Sequence, residues 1–411
     1  MAHVLILGGG TTGMSAALTL ARLGVRSTIV DISPCIGGLP NELACKGDRE
    51  CVKCDVCLST DKVAMVMQNE LISFVRDSKL DMLERDLGRY KATISRPSQA
   101  IDDSRCTRCG KCLDVCPADA IVRHGSREGA YYRVDRARCL HDNNGCTICA
   151  DACGAFKIDL DSEEEMSEIE ADGVLVAVGA MPYDPAPDRR LGYGEIEGVV
   201  TSLDVERGLN RMDGLGRKLL SGEVKRMCMV QCVGSRDPRI GSQLCSKVCC
   251  KYAMKIAKLV RARSPSTEIT IFFMDWRPTE RKDDLLAWAS AEKGIKAVRS
   301  RPSEVAQGDD GRPVVRYALP GDLEVGEDAF DLVVLSLGLR PTKDNEDIAG
   351  MFGARLNPHG FFFGEGKQVR MFEAKGVFFA GACTGPKDIE ESSMDGAVAA
   401  SKIFRYLEGS E

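Results

Sequence analysis

The chain has 411 residues, 44% hydrophobic and 28% charged, with a formal net charge of −6 at pH 7. That is room for two or three domain cores at roughly 100–200 residues each. The balance argues against nucleic-acid binding, which needs a strongly basic domain, and the lack of an apolar run of about 18 residues argues against a membrane span. Nineteen cysteines stand beside only four histidines. The opening "AHVLILGGG" reads as a strand entering a glycine loop rather than a leader, so a cytoplasmic location is expected, if need be peripheral to a membrane through partners. Disulfides are disfavoured there and grouped thiols bind metal. Thiolate-rich, histidine-poor ligation suits iron–sulfur clusters.

In chain order, "HVLILGGGTTGMSAALTLARLGVRSTIVD" predicts strand, glycine turn, helix, strand. Val4–Leu7 is the first strand. Gly8, Gly10 and Gly13 supply the G-x-G-x-x-G spacing: a tight turn, a close approach of backbone to a pyrophosphate, and helix–sheet packing. Asp31 ends the second strand, where a carboxylate takes ribose hydroxyls. "CIGGLP", with Gly38, resembles the glycine pair that follows this unit in two-dinucleotide flavoproteins, which favours FAD.

"CKGDRECVKCDVC" then places Cys45, Cys51, Cys54 and Cys57 within thirteen residues. Four thiolates at this spacing suit a [4Fe–4S] cluster, while a zinc site, a redox-active C-x-x-C pair or free thiols are the alternatives.

"CTRCGKCLDVCP" carries Cys106, Cys109, Cys112 and Cys116 before a proline, the bacterial ferredoxin run. Cys139, Cys146, Cys149 and Cys153 form a second set with a longer first gap. In two-cluster ferredoxins the fourth cysteine of each run serves the other cluster. Cys106, Cys109, Cys112 and Cys153 are therefore expected to hold one cluster, and Cys139, Cys146, Cys149 and Cys116 the other. The acidic run "DLDSEEEMSEIE" that follows is expected to be a surface linker.

"ADGVLVAVGAMP" (Ala171–Pro182) and "FDLVVLSLGLRP" (Phe330–Pro341) are strand-to-glycine segments with similar endings, as from an internal duplication. Between them "KRMCMVQCVGSR" begins like a strand entering a nucleotide turn, yet no second glycine fingerprint follows. Cys232, Cys245, Cys249 and Cys250 occupy the place instead. On a helix, the adjacent Cys249 and Cys250 can reach one cluster only from its first turn. Lys247, Lys251, Lys255 and Lys258 share a face of that helix; such stripes are usually solvated, the other reading being a dock for an acidic electron-transfer partner. "GVFFAGACTG" is a further strand, placing Gly381 near a flavin pyrophosphate ahead of a final helix whose N-terminus faces the cofactor. Lys387 is a candidate cation near the flavin ring. Cys35, Cys228 and Cys383 read as packing residues.

This order resembles the thioredoxin-reductase-like flavoproteins. The fold expected is α/β: a thioredoxin-reductase-like two-dinucleotide-fold flavoprotein with an inserted two-cluster ferredoxin domain. The FAD-binding domain comprises 1–98 (with the Cys-rich segment 45–57), 161–195 and 326–411; the insertion is 99–160, and a second Rossmann-like domain is 196–325. "QCVGSRD…CSKVCCKYAMK" with "GACTGPKDIEES" resembles the A-type component of heterodisulfide reductase and its relatives. The resemblance implies that Cys232, Cys245, Cys249 and Cys250 ligate an unusual [4Fe–4S] cluster close to the flavin, replacing a pyridine nucleotide. It also implies an oxidoreductase subunit of an anaerobic redox complex, with heterodisulfide-reductase-like B/C-type or quinone-linked subunits, or ferredoxin, as partners. The resemblance also implies an extra N-terminal domain and a C-terminal ferredoxin domain in longer relatives, for which no counterpart is expected in this sequence, leaving fewer branches for flavin-based bifurcation. The Cys45–Cys57 group is richer than the two cysteines expected there. The alternative is a self-contained NAD(P)H-dependent oxidoreductase resembling the small subunit of glutamate synthase, a family that keeps the second glycine fingerprint.

Overall fold

A computed structural model describes residues 1–103, 105–124, 131–155, 158–212, 214–277, 284–318, 324–362 and 376–409. The chain starts with β1 (His3–Leu7), α1 (Thr11–Arg22) and β2 (Arg26–Val30), then α2 (Val56–Met67) and β3 (Ile72–Val75). Antiparallel strands β4 (Lys79–Asp86) and β5 (Arg89–Arg96) come next, and the cysteine-rich insertion separates β5 from its other partner, β6 (Glu165–Ala171). The acidic run is thus half strand. Glu165 lies opposite Arg96 on β5, and Glu168 and Glu170 pair diagonally with Lys91 and Arg89; opposite charges on paired strands favour that register. Within the insertion a two-stranded ladder, Ile121–His124 with Tyr131–Val134, packs over short helical turns bearing the cysteines.

β7 (Gly173–Val176) returns to pair parallel with β1. The second unit holds β8 (Val199–Thr201), α3 (Ser202–Arg211), β9 (Arg226–Val233), α4 (Cys249–Arg263), β10 (Glu268–Phe273), β11 (Ile295–Arg299) and β12 (Leu332–Leu337). Its parallel sheet runs β8-β12-β9-β10-β11. Because β12 lies inside this sheet, the second unit extends to Leu337, past the boundary at 325 expected from sequence.

β13 (Val377–Phe379) then crosses back, completing the first sheet in the order β13-β7-β1-β2-β3, and α5 (Ile389–Leu407) closes the chain against α1. Val4, Leu5, Ile6, Val174 and Leu175 are fully buried, as parallel strands covered on both faces require. The two similar segments after β7 and β12 meet each other: Met181 pairs with Arg340 and Pro182 with Leu339, antiparallel. The units are therefore joined by two crossing strands, one from each copy of the returning strand.

Candidate functional site

The turn after β1 has the geometry its glycines imply. Gly8 has φ +104°, and a Cβ there would lie 2.4 Å from the Ala177 carbonyl oxygen. A Cβ on Gly13 would lie 1.9 Å from the Gly8 oxygen, so α1 can sit on the turn only with glycine at this position. A Cβ on Gly10 would meet nothing within 4 Å, because Gly10 faces a cavity of about 350 Å³. Asp31 lines that cavity and accepts the Gly9 N–H at 2.5 Å and the Ser33 N–H at 2.7 Å. Burial raises its carboxyl above the usual value.

Gly38 closes the near wall. Gly381 packs on the cradle: a Cβ there would strike Thr12 Oγ1 at 2.1 Å. Thr12 Oγ1 donates to the Ser392 carbonyl at 3.1 Å, fixing α5 against α1. Asp388 caps α5 in a capping box with Glu391, so the positive end of the helix opens on the cavity through Asp388, Ile389 and Ser392. Lys387 reaches back into the loop, donating to Gly381 O at 2.8 Å and Thr384 Oγ1 at 2.6 Å, with Asp395 Oδ2 at 3.3 Å. The open Gly10, the helix N-terminus and the carboxylate suit a dinucleotide whose pyrophosphate crosses the turn and whose ribose meets Asp31.

The opposite wall comes from the second unit. Lys251, Tyr252 and Lys255 of α4 line the cavity, with Lys46 and Glu206. This overturns the expectation of a solvated stripe. Lys247 is half exposed and pairs with Glu391, but Lys255 is 2% exposed and donates to the Lys53 carbonyl, and Lys251 pairs with Asp55 at 2.9 Å and Asp388 at 3.2 Å. Tyr252 receives the Ser202 hydroxyl at 3.1 Å and donates to Leu337 O at 2.9 Å. Sequence reasoning missed Lys46, Glu206 and Tyr252. One signal was there: Glu206 lies on the buried face of α3 with Ser202, Val205 and Leu209, and a carboxylate on an apolar stripe needs a partner.

Cys249 and Cys250 stand at the first turn of α4. Cys232, at φ +63°, lies where β9 ends. Hydrogen bonding with Cys249, opposed by burial and aided by Arg236, holds the Cys232 thiol below its ordinary value. Gln231 Oε1 and Ser235 Oγ are buried beside the group without a hydrogen-bond partner, the kind of orphaned polar atom a bound group satisfies. Cys245 lies on the approaching loop, its sulfur 3.4 Å from the Lys247 N–H.

In the insertion, Cys116, Cys139, Cys146 and Cys149 line one small cavity with Pro117. Cys112 lies close enough to Cys106, Cys109 and Cys149 for their charges to act on it. Cys153 follows the last helical turn. Among the described residues no three Cys, His, Asp or Glu side chains close round a single metal ion; a cubane binds each thiolate to a different iron and asks for a wider ring than tetrahedral zinc. Cys228 is buried in β9, and Cys383 is buried with its thiol on the Ala380 carbonyl at 3.0 Å. Burial pushes Cys383 up to about 12 and Cys35 to about 11. No described helix is long and apolar enough to cross a membrane.

The family described as pyridine nucleotide-disulphide oxidoreductase matches residues 2–402. The chain is 33% identical over 98% of its length to the A-type component of the ferredoxin/F420H2-dependent CoB-CoM heterodisulfide reductase of Methanosarcina acetivorans, covering 53% of that protein. It is 32% identical over 97% of its length to the A-type component of the H2:CoB-CoM heterodisulfide,ferredoxin reductase of Methanothermobacter marburgensis, covering 63% of it. The chain thus spans about half to two thirds of the length of these relatives. Thioredoxin reductases of Lactococcus lactis and T. acidophilum share the fold over 100% and 99% of the chain, and over 100% and 98% of their own, with TM-scores of 0.56 and 0.54 and identities of 16% and 14%. The chain is a member of the pyridine nucleotide-disulphide oxidoreductase family, in a heterodisulfide-reductase-A-like form.

Proposed function

We propose that the chain is an FAD- and [4Fe–4S]-containing electron-transfer subunit of a multi-subunit redox complex. Bound flavin exchanges electrons in pairs or singly, and clusters exchange them singly, so together they convert between two- and one-electron chemistry. Gly8, Gly10, Gly13, Asp31, Gly38 and Gly381 would hold the FAD, with Lys387 tuning it. Cys106, Cys109, Cys112 and Cys153, and Cys116, Cys139, Cys146 and Cys149, would hold two ferredoxin-type clusters. Cys232, Cys245, Cys249 and Cys250 would hold a third close to the flavin. The chain's own part is to set distances, exclude water and fix the charges around each group.

The observation that carries this reading lies at the end of β9, where a nucleotide-binding domain would place its second glycine turn. The crevice there, bounded by Tyr183, Cys232 and Asp237, measures about 30 Å³, against about 350 Å³ for the flavin cavity. A Cβ on Gly234 would lie 2.1 Å from the Tyr183 ring. That volume admits a few waters at most rather than a nicotinamide dinucleotide, and the thiol of Cys232 lines it. The heterodisulfide reductase relatives are named as subunits, which supports a multi-subunit assembly; the partners we propose are B/C-type or quinone-linked subunits, with ferredoxin as a carrier.

The test is anaerobic. NADH and then NADPH are added to the purified chain and the flavin absorbance is followed. No bleaching is expected, in a sample that dithionite or reduced ferredoxin does bleach. Rapid bleaching by either nucleotide would overturn the reading in favour of a self-contained NAD(P)H oxidoreductase.

A further inference from the structure

Three loops of this chain share one local shape. In Cys51–Cys54, Cys106–Cys109 and Cys245–Cys249, the basic residue two places after the first cysteine takes a left-handed conformation: Lys53 φ +52°, Arg108 φ +59°, Lys247 φ +63°. In each it turns its backbone N–H onto the sulfur behind it, at 3.4 Å in all three loops. A left-handed non-glycine residue is strained and persists where the surroundings impose it. Amide donation to sulfur is one of the ways a protein tunes an iron–sulfur cluster. Two of the loops belong to cysteine groups already assigned to clusters. The third belongs to the Cys45–Cys57 group, whose spacing alone suits a cluster, zinc or free thiols.

The placement of the third loop is specific. Cys54 and Asp55 line the flavin cavity. A methyl group on Gly47 would lie 3.6 Å from Cys45 Sγ and 3.8 Å from Cys51 Cα, so the loop folds these two cysteines about one point. α4 holds the loop from behind through Lys255 on the Lys53 carbonyl, Lys251 on Asp55 and Arg263 on Asp48. The same helix carries Cys249 and Cys250 in its first turn.

Building on the proposed function, we propose that Cys45, Cys51, Cys54 and Cys57 hold a further [4Fe–4S] cluster at the edge of the flavin cavity. One helix then ties two clusters to the flavin, the Cys232 group at its start and the Cys45 group farther along.

The test uses the full chain, made anaerobically with iron–sulfur assembly proteins, and counts iron, acid-labile sulfide and zinc per flavin. Four clusters give about sixteen irons per flavin and three give about twelve. Cys51→Ala is expected to lose about four irons and four sulfides, with flavin unchanged and one reduced-cluster EPR signal gone. Loss of one zinc per chain with iron constant at about twelve, or no metal change, would overturn the proposal. If Cys51→Ala fails to fold, Cys57→Asp decides, since a retained oxygen ligand keeps the iron count but shifts one EPR signal; an unshifted spectrum refutes the site. Cys106→Ala separates the two readings. If it costs iron and Cys51→Ala does not, only this site falls; if neither costs iron, the relay itself falls.

Discussion

Lys46 Nζ lies 2.7 Å from Glu206 Oε1, with both side chains nearly fully buried, and Glu206 Oε2 also receives the Ala44 N–H at 2.9 Å. The pair joins the loop behind the flavin cradle to α3 of the second unit. Removing one partner leaves the other as an uncompensated buried charge, at roughly 3–5 kcal/mol. Glu206→Ala should therefore lower the urea midpoint strongly, while the double variant Lys46→Met/Glu206→Leu recovers most of the loss. An unchanged midpoint in the single variant would show that water reaches the pair.

Gly10 and Gly13 separate cofactor space from packing space. Gly10 has an ordinary φ of −74° and an open Cβ direction, so Gly10→Ala should leave the flavin-free chain as stable as before and weaken FAD binding by at least tenfold. Gly13→Ala drives a methyl group into the Gly8 carbonyl and should cost roughly 1–3 kcal/mol with or without flavin. Chemical denaturation of the flavin-free protein and FAD titration check both halves.

Asp237 offers a pH signature. Its hydrogen bonds from Arg239 and from Arg301, the latter at 2.6 Å, hold its carboxyl at about 2, below the ordinary 3.8. A depressed carboxylate contributes stability that is complete above the unfolded value and is lost as pH falls through the folded one. The melting-temperature difference between wild type and Asp237→Asn should be constant from pH 7 to about 5 and shrink towards about pH 2. Its plateau should correspond to roughly 1 kcal/mol once solvent screening of the exposed Arg239 is allowed for.

What was readable in the sequence followed local rules. The strand–turn–helix of the flavin cradle and the first-turn position of Cys249 and Cys250 rest on residues within a few positions of each other. The Lys46–Glu206 pair spans 160 residues, and Lys251 meets Asp388 from another unit, so periodicity on α4 could not tell solvent from a cofactor wall. The domain boundary failed for a related reason. Phe330–Pro341 resembles Ala171–Pro182 because each is the returning strand of its own sheet, and only the pairing of β12 with β8 and β9 assigns it to the second.

Lys387 lines the flavin cavity while bound to Gly381, Thr384 and Asp395. A cation there stabilises the more negative, reduced cofactor, so Lys387→Met should lower the flavin potential with flavin content retained. A shift of roughly 30 mV corresponds to about 1.4 kcal/mol for a two-electron couple. A potential equal to wild type, measured by spectroelectrochemistry, would reduce Lys387 to a pin for the loop.

Cys116 belongs to the first cysteine run by sequence but lines a cavity with Cys139, Cys146 and Cys149 of the second. If ligation follows that placement, the cluster disturbed by a substitution is set by the cavity and not by the run. Cys116→Ser should alter the same EPR signal as Cys146→Ser and leave untouched the one altered by Cys109→Ser, and Cys153→Ser should behave like Cys109→Ser. A serine oxygen in place of sulfur lowers a cluster's potential, so a redox titration of each variant should move one midpoint downward and leave the others fixed. Pairing of Cys116→Ser with Cys109→Ser instead would mean that each run closes on its own cluster.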